Sequence, residues 1–197
     1  MFGFGKPQFS LETTRCVLRL PVQDDYVAWA QLRKANEDFL AAWEPIWGHD
    51  HFAKSAFQAR VHWAKKSFEE DRAVPLLIFS RSDQRLLGGI TLDNVRRGPV
   101  QSASLGYWIG QEFARQGYMQ EAVQAVVAYA FSKLDLSRIE AATLPKNKPS
   151  RGLLEKCGFK YEGVAQSYLQ IGGRWRSHVL YANLRHDRRG VTSAGIY

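Results

Sequence analysis

The chain is 197 residues long and carries 27 Lys and Arg against 19 Asp and Glu, a formal charge of +8. Hydrophobic residues make up 45% and charged residues 23%, and six Trp, eight Tyr and eleven Phe exclude disorder as the main state, because such a chain has ample apolar surface to bury. This length predicts one domain that needs no disulfide or metal staple.

In chain order, residues 16–20 read as a strand that Pro21 ends, and Asp24 and Asp25 then mark a helix start, where negative charge suits the opening turn. Apart from that strand, the chain up to residue 70 reads mainly as helix. A second helix over 54–70 sets Phe57, Val61, Ala64 and Phe68 on one face. Residues 74–79 and 86–92 form a hairpin pattern around polar 80–84. Residues 96–99 read as a turn and 103–110 as a further strand. Met119, Ala122, Val123, Val126, Val127, Ala130, Phe131 and Leu134 recur at helical spacing, an amphipathic helix packed on a sheet. A strand over 138–144, a loop over 145–149 and a short helix over 150–156 follow, the last closed by Gly158. Two long strands joined at Gly172-Gly173 complete the domain. The expected fold class is α+β: a mixed, mostly antiparallel central sheet flanked by helices, one domain over residues 1–184, with a basic tail over 185–197.

No apolar stretch approaches the ~20 residues of a membrane span. The segment from Met1 to Pro7 lacks the pattern of a secretory signal. Cys16 and Cys157 fall in no paired motif, which fits packed free thiols in a reducing cytoplasm and no membrane partner. His49 and His51 have no evident third ligand, so no metal is expected. The positive charge fits an acidic partner such as phosphate, nucleic acid or a ribonucleoprotein surface, and fits simple solubility equally.

Phe113-Ala114-Arg115-Gln116-Gly117-Tyr118-Met119 lies between a strand and a helix start. Unpaired N–H groups, a positive dipole end, a glycine and Arg115 make such a turn a phosphate site. By itself the pattern also suits a plain connector. A second cluster, Asn147-Lys148-Pro149-Ser150, puts an amide and a hydroxyl at the start of a short helix, where capping and ligand contact are compatible roles.

Strand 105–110, the turn Arg115–Met119, the helix and strand after it, Asn147-x-x-Ser150 and Lys156-Cys157-Gly158-Phe159 together resemble the GNAT superfamily of acetyl-CoA-dependent N-acetyltransferases. Within it the chain is similar, over nearly its whole length, to the ribosomal-protein-alanine N-acetyltransferases. That similarity rests on Asn36-Glu37-Asp38-Phe39-Leu40, Trp43-Glu44-Pro45, Asn94-Val95-Arg96-Arg97-Gly98, Leu105-Gly106-Tyr107-Trp108-Ile109-Gly110, Tyr168-Leu169, and 173–180. The resemblance implies transfer of acetyl from acetyl-CoA, without a metal, to the N-terminal α-amine of a ribosomal protein. It implies main-chain pairing of Trp108, Ile109 and Gly110 with the pantetheine arm. Arg115, Gln116, Gly117, Tyr118 and Met119 would wrap the pyrophosphate. Asn147 would hold the arm from the other side, and Ser150 would sit near the sulfur. Ala114 and Met119 depart from the usual first and last residues of the phosphate turn. Leu154 stands where many members place a tyrosine acid, which makes Ser150, or water held by it, the candidate proton donor.

A peptide α-amine titrates near ~7.7–8.0 and needs less help from a base than a lysine near ~10.4. Strand 103–110 carries no carboxylate, which favours the α-amine. Glu44 is the candidate base, acting through water, with an exposed loop acid as its plainer role. Tyr107, Tyr168, Trp175 and His178 are the candidate acceptor-side residues; core packing suits the hairpin aromatics equally. The tail from Arg185 is a candidate contact with ribosomal RNA. Two other readings stay open: an acetyltransferase of a small amine, aminoglycoside or polyamine, and a non-enzymatic ribosome- or RNA-binding module.

Overall fold

The computed structural model describes residues 9–186. Eight strands form one sheet in the order β1-β2-β3-β4-β5-β6-β8-β7: β1 (Ser10–Glu12), β2 (Cys16–Arg19), β3 (Val74–Ser80), β4 (Leu86–Arg96), β5 (Ser102–Ile109), β6 (Arg138–Thr143), β7 (Lys160–Ile171) and β8 (Arg174–Leu184). Neighbours are antiparallel except β5 and β6, which run parallel. The expected α+β class with a mixed, mostly antiparallel sheet is what the chain adopts. All seven residues of β3 are buried, which explains its unbroken apolar run: helices or neighbouring segments cover both faces.

Among the described residues five α-helices flank the sheet: α1 (Tyr26–Ala35), α2 (Glu37–Ala41), α3 (Lys54–Glu69), α4 (Tyr118–Ser132) and α5 (Lys148–Lys156). The rings of Trp29 on α1 and Phe57 on α3 lie 5.0 Å apart, so these two helices share a face. Met119, Ala122, Val123, Val126 and Ala130 form the buried stripe of α4. Among the described residues no helix is long and apolar enough to cross a membrane.

Several boundaries differ from the sequence reading, each for a local reason. Strand β1 is three residues long and α2 five, too short to show a period. Strand β4 continues past 92 to Arg96 through a register shift, with Asn94 at φ 52°; such a bulge breaks the alternation that marks a strand. Helix α5 begins at Lys148 rather than 150, because Pro149 fits a first turn that needs no N–H there. Arg185, the first residue of the expected tail, is tied down: its N–H donates to the Ser137 carbonyl at 3.0 Å and its guanidinium meets Asp135. The rest of that tail, from residue 187, lies outside the described residues.

Candidate active site

Strand β5 pairs with β6 only from Ser102 to Ser104, while its pairing with β4 runs on to Ile109. Strand β6 meanwhile follows β8 as far as Thr143 opposite Val179. From Leu105 onward the sheet therefore parts, and one edge of β5 offers peptide groups with no strand beside it among the described residues. A Cβ at Gly106 would meet nothing within 4 Å, so the face of β5 is also uncovered at that point. On the β4 side the backbones are tightly packed: a Cβ at Gly88 would lie 2.9 Å from Ile109 Cα, and one at Gly89 2.6 Å from Trp108 Nε1. Gly89 thereby leaves room for the Trp108 indole, and Gly88 for the Trp108–Ile109 backbone.

Beyond β5, Gly110 donates to the Leu87 carbonyl at 2.9 Å, and the Gln111 N–H donates to Asn36 Oδ1 at 2.6 Å. Asn36 is buried and returns a hydrogen bond to the Leu32 carbonyl at 2.8 Å, which locks the α1–α2 junction to the end of β5. The turn that follows holds Arg115 at φ 65° and Gly117 at φ 88°. Gly117 is the N-cap of α4 and supplies no side-chain acceptor, so the opening N–H groups of that helix remain available to an anion. Gln116, Tyr118 and Met119 lie on this turn, and Gln116 Nε2 donates back to the Glu112 carbonyl at 2.6 Å.

Sequence reasoning missed a residue here. Arg15, on the β1–β2 turn, donates to the Gln116 carbonyl at 3.0 Å, pairs with Glu121 at 2.5 Å and lies 4.5 Å over the Tyr118 ring. Burial pushes the Glu121 carboxyl up, but hydrogen bonds from Arg15 and Thr13 outweigh it and hold that group below its usual range. A separation of more than a hundred residues hides the pair from any local pattern.

Across the gap, Asn147 caps α5: its Oδ1 accepts from the Ser150 N–H at 3.2 Å. The Ser150 Oγ lies 2.7 Å from the Tyr107 hydroxyl. Tyr107 and Trp108 are successive residues of a strand and so face opposite sides of the sheet. Tyr107 turns toward α5, whereas Trp108 turns toward α1, where the Arg33 guanidinium lies 4.8 Å over its ring.

On the Trp108 side, Arg33 is only 5% exposed. Its Nη1 and Nη2 grip Glu44 at 2.8 and 2.5 Å, and its guanidinium also lies 4.3 Å over Trp47. Trp47 Nε1 donates to the Glu44 carboxylate at 2.7 Å. Glu44 thus holds three donors, with a lone pair on Oε1 left over. Arg33 Nε is buried without a partner. His51 stacks on Trp47 at 4.4 Å and faces Arg60 at 3.1 Å and Arg33 at 3.4 Å. Burial, together with these two cations, pushes its pKa down to about 4. Among the described residues no three His, Cys, Asp or Glu side chains gather as a metal-holding set.

The Glu44 carbonyl accepts from the Gly172 N–H at 3.1 Å, joining this loop to the β7–β8 turn. On that hairpin His178 is buried, and its Nδ1 donates to the Arg176 carbonyl at 2.9 Å. The Tyr168 ring lies 5.7 Å from it. Trp175 is 64% exposed, so it packs in no core.

Comparison with known proteins matches this geometry to a family. The acetyltransferase (GNAT) domain fits residues 15–160. The chain is 36% identical over 184 residues to the ribosomal protein uS5-alanine N-acetyltransferase of Escherichia coli (strain K12), covering 92% of this chain and 95% of that protein. The crystal structure of ribosomal-protein-S5-alanine acetyltransferase from Vibrio fischeri superposes with a TM-score of 0.85 at 28% identity, covering 92% of this chain and 100% of that one. RimJ of Mycobacterium smegmatis, in complex with CoA-disulfide, superposes with a TM-score of 0.83 at 29% identity over 93% of this chain and 89% of its own. The chain belongs to the GNAT family and is an acetyltransferase.

Proposed function

We propose that this chain transfers the acetyl group of acetyl-CoA to the N-terminal α-amine of a protein, with the alanine of a ribosomal protein as acceptor. The observation that carries the reading is the parting of β5 from β6 beside a helix whose N-cap supplies no side chain. Those elements fit the coenzyme: a free strand edge at 105–109 for the amides of its arm, and opening N–H groups of α4 plus Arg115 for its phosphates. The acceptor is supported by the full-length likeness to the uS5-alanine enzyme. Ribosomal-protein work also fits a cytoplasmic setting.

When bound, acetyl-CoA supplies an activated acetyl thioester open to direct attack by an uncharged amine. Trp108, Ile109 and Gly110 hold the arm by main chain, and Asn147 holds it from α5. Free N–H groups of the parted edge stabilise the developing oxyanion by a few kcal/mol. Ser150 donates a hydrogen bond to the leaving sulfur, which takes its proton from solvent. On the other face, the open Oε1 lone pair of Glu44 takes the proton of the incoming amine through water, and Arg33 keeps that carboxylate fixed. Tyr168, His178 and Trp175 flank the path of the acceptor. Glu44 is taken up by Arg33 and Trp47, whereas a polyamine or aminoglycoside calls for several unpaired acidic groups.

Incubation with acetyl-CoA and a panel of alanine-ended peptides, polyamines and aminoglycosides tests the reading, with mass spectrometry locating the acetyl group. Transfer to peptide α-amines is expected. Transfer to small amines alone would overturn the acceptor, and failure to bind CoA in calorimetry would favour an RNA-binding module. An unchanged pH–rate profile in Glu44→Gln would remove Glu44 as base.

A further inference from the structure

We infer that Tyr107 is a positioning residue for the leaving-group side of the reaction, acting through Ser150, and not a contact for the acceptor. The inference rests on the role given to Ser150 above and goes beyond it. Tyr107 alternates with Trp108 along β5, so its ring stands on the α5 face while the Arg33–Glu44–Trp47 cluster stands on the other. Its hydroxyl spans the parted sheet to meet Ser150, 2.7 Å from Oγ and 3.5 Å from the carbonyl oxygen.

Of the two hydroxyls the phenol is the stronger acid, so it is the better donor. With Tyr107 donating to Ser150 Oγ, the serine hydrogen is left for another acceptor. A serine hydroxyl otherwise rotates freely among staggered positions. The tyrosine takes one of those positions and narrows the choice. Burial pushes the Tyr107 pKa up to about 12, so the phenol keeps a proton to donate throughout the working range.

One helical turn beyond Ser150, at Leu154, the chain has a buried leucine with no hydroxyl to offer. Ser150 is also fixed from its backbone side, since its N–H is held by the Asn147 cap. Both the main chain and the side chain of this serine are thus oriented by polar groups, one from α5 itself and one from the opposite edge of the gap. As the carbon–sulfur electron pair moves onto sulfur, Ser150 donates a hydrogen bond to it. The sulfur leaves as the thiolate and is protonated from solvent; no proton leaves Tyr107.

The test is a double-mutant cycle of Tyr107→Phe, Ser150→Ala and the combined variant, with whichever amine of the panel above the wild-type enzyme acetylates. Tyr107→Phe keeps the ring and its packing. It is expected to lower kcat tenfold or more, with the KM of the acceptor and the Kd of CoA each within twofold of wild type. Ser150→Ala is expected to lower kcat at least as much, and the double variant to match Ser150→Ala within twofold. Effects that multiply in the double variant would overturn the inference, because Tyr107 would then act independently of Ser150. A raised acceptor KM with unchanged kcat in Tyr107→Phe would make it an acceptor contact and overturn it equally. If Ser150→Ala alone slows the reaction while Tyr107→Phe does not, only this inference fails. If Ser150→Ala is fully active, the role of Ser150 fails first. A wild-type chain that acetylates nothing in the panel overturns both.

Discussion

Replacing Arg33 by Met removes a guanidinium that is 5% exposed while keeping an unbranched side chain between the Trp47 and Trp108 indoles. Breaking a buried ion pair by deleting one partner costs roughly 3–5 kcal/mol, because the remaining charge is stranded. Two features of this site reduce that figure. The Glu44 side chain is 22% exposed and keeps its bond from Trp47 Nε1, so water and the indole compensate part of the lost partner. The unpartnered Arg33 Nε also disappears, and leaving such a donor unmet costs about 1–3 kcal/mol. The net loss expected for Arg33→Met is therefore about 1–3 kcal/mol, a fall in Tm of roughly 4–8 °C near the middle of that range. Urea unfolding followed by tryptophan fluorescence reads it directly, since two of the reporting indoles clasp the substituted residue. Adding Glu44→Gln to Arg33→Met is expected to recover part of the loss, because no carboxylate is then stranded. Stability within about 0.5 kcal/mol of wild type, or strict additivity of the two substitutions, would refute the view that this pair is a coupled buried unit.

Acidification gives an independent check on the same cluster. His51 has a folded-state pKa near 4 against an ordinary 6.5, so the unfolded chain binds the extra proton between those values, and stability is present above them and lost as pH falls. From pH 7 to pH 5 the loss assigned to this residue is about 2 kcal/mol; urea titrations of wild type and His51→Gln at the two pH values are expected to differ by that amount, and parallel behaviour would remove His51 as the source. Arg15→Ala is expected to raise the KM for acetyl-CoA about fivefold, near ~1 kcal/mol, because it leaves Glu121 as an unbalanced charge at the phosphate turn. The effect should shrink at high salt, and an unchanged KM at low salt would take Arg15 out of the cradle.

Periodicity and turn chemistry were enough to place most of the elements. The stripe from Met119 to Ala130, the glycines at 158 and 172–173, and Pro21 after β2 each specify local backbone behaviour, and local physics is all that a sequence window contains. The phosphate turn was legible for the same reason: Gly117 at φ 88° opening α4 is a property of neighbouring residues. Asn147 and Ser150 declared themselves as a cap within four positions.

What stayed hidden depends on contacts between distant segments. Arg15 meets Gln116 and Glu121 only because β1 and β2 lie beside the start of α4, and Arg33 became part of the site only when α1 set it over Trp108. The sequence marked Glu44 as an acid in a loop; its three donors come from Arg33 and Trp47, whose placement depends on how α1, the loop and the β7–β8 turn close on one another. Tyr107 and Trp108 adjoin in sequence, but strand alternation and the helices on either face assign one to Ser150 and the other to Arg33. Composition, spacing and local turns therefore determined most elements of this chain, and its motifs carried only the resemblance to a family that the comparisons then showed. Only the packing of remote elements decided which side chains share a charge or a proton, because those pairings are enforced by burial and not by neighbourhood along the backbone.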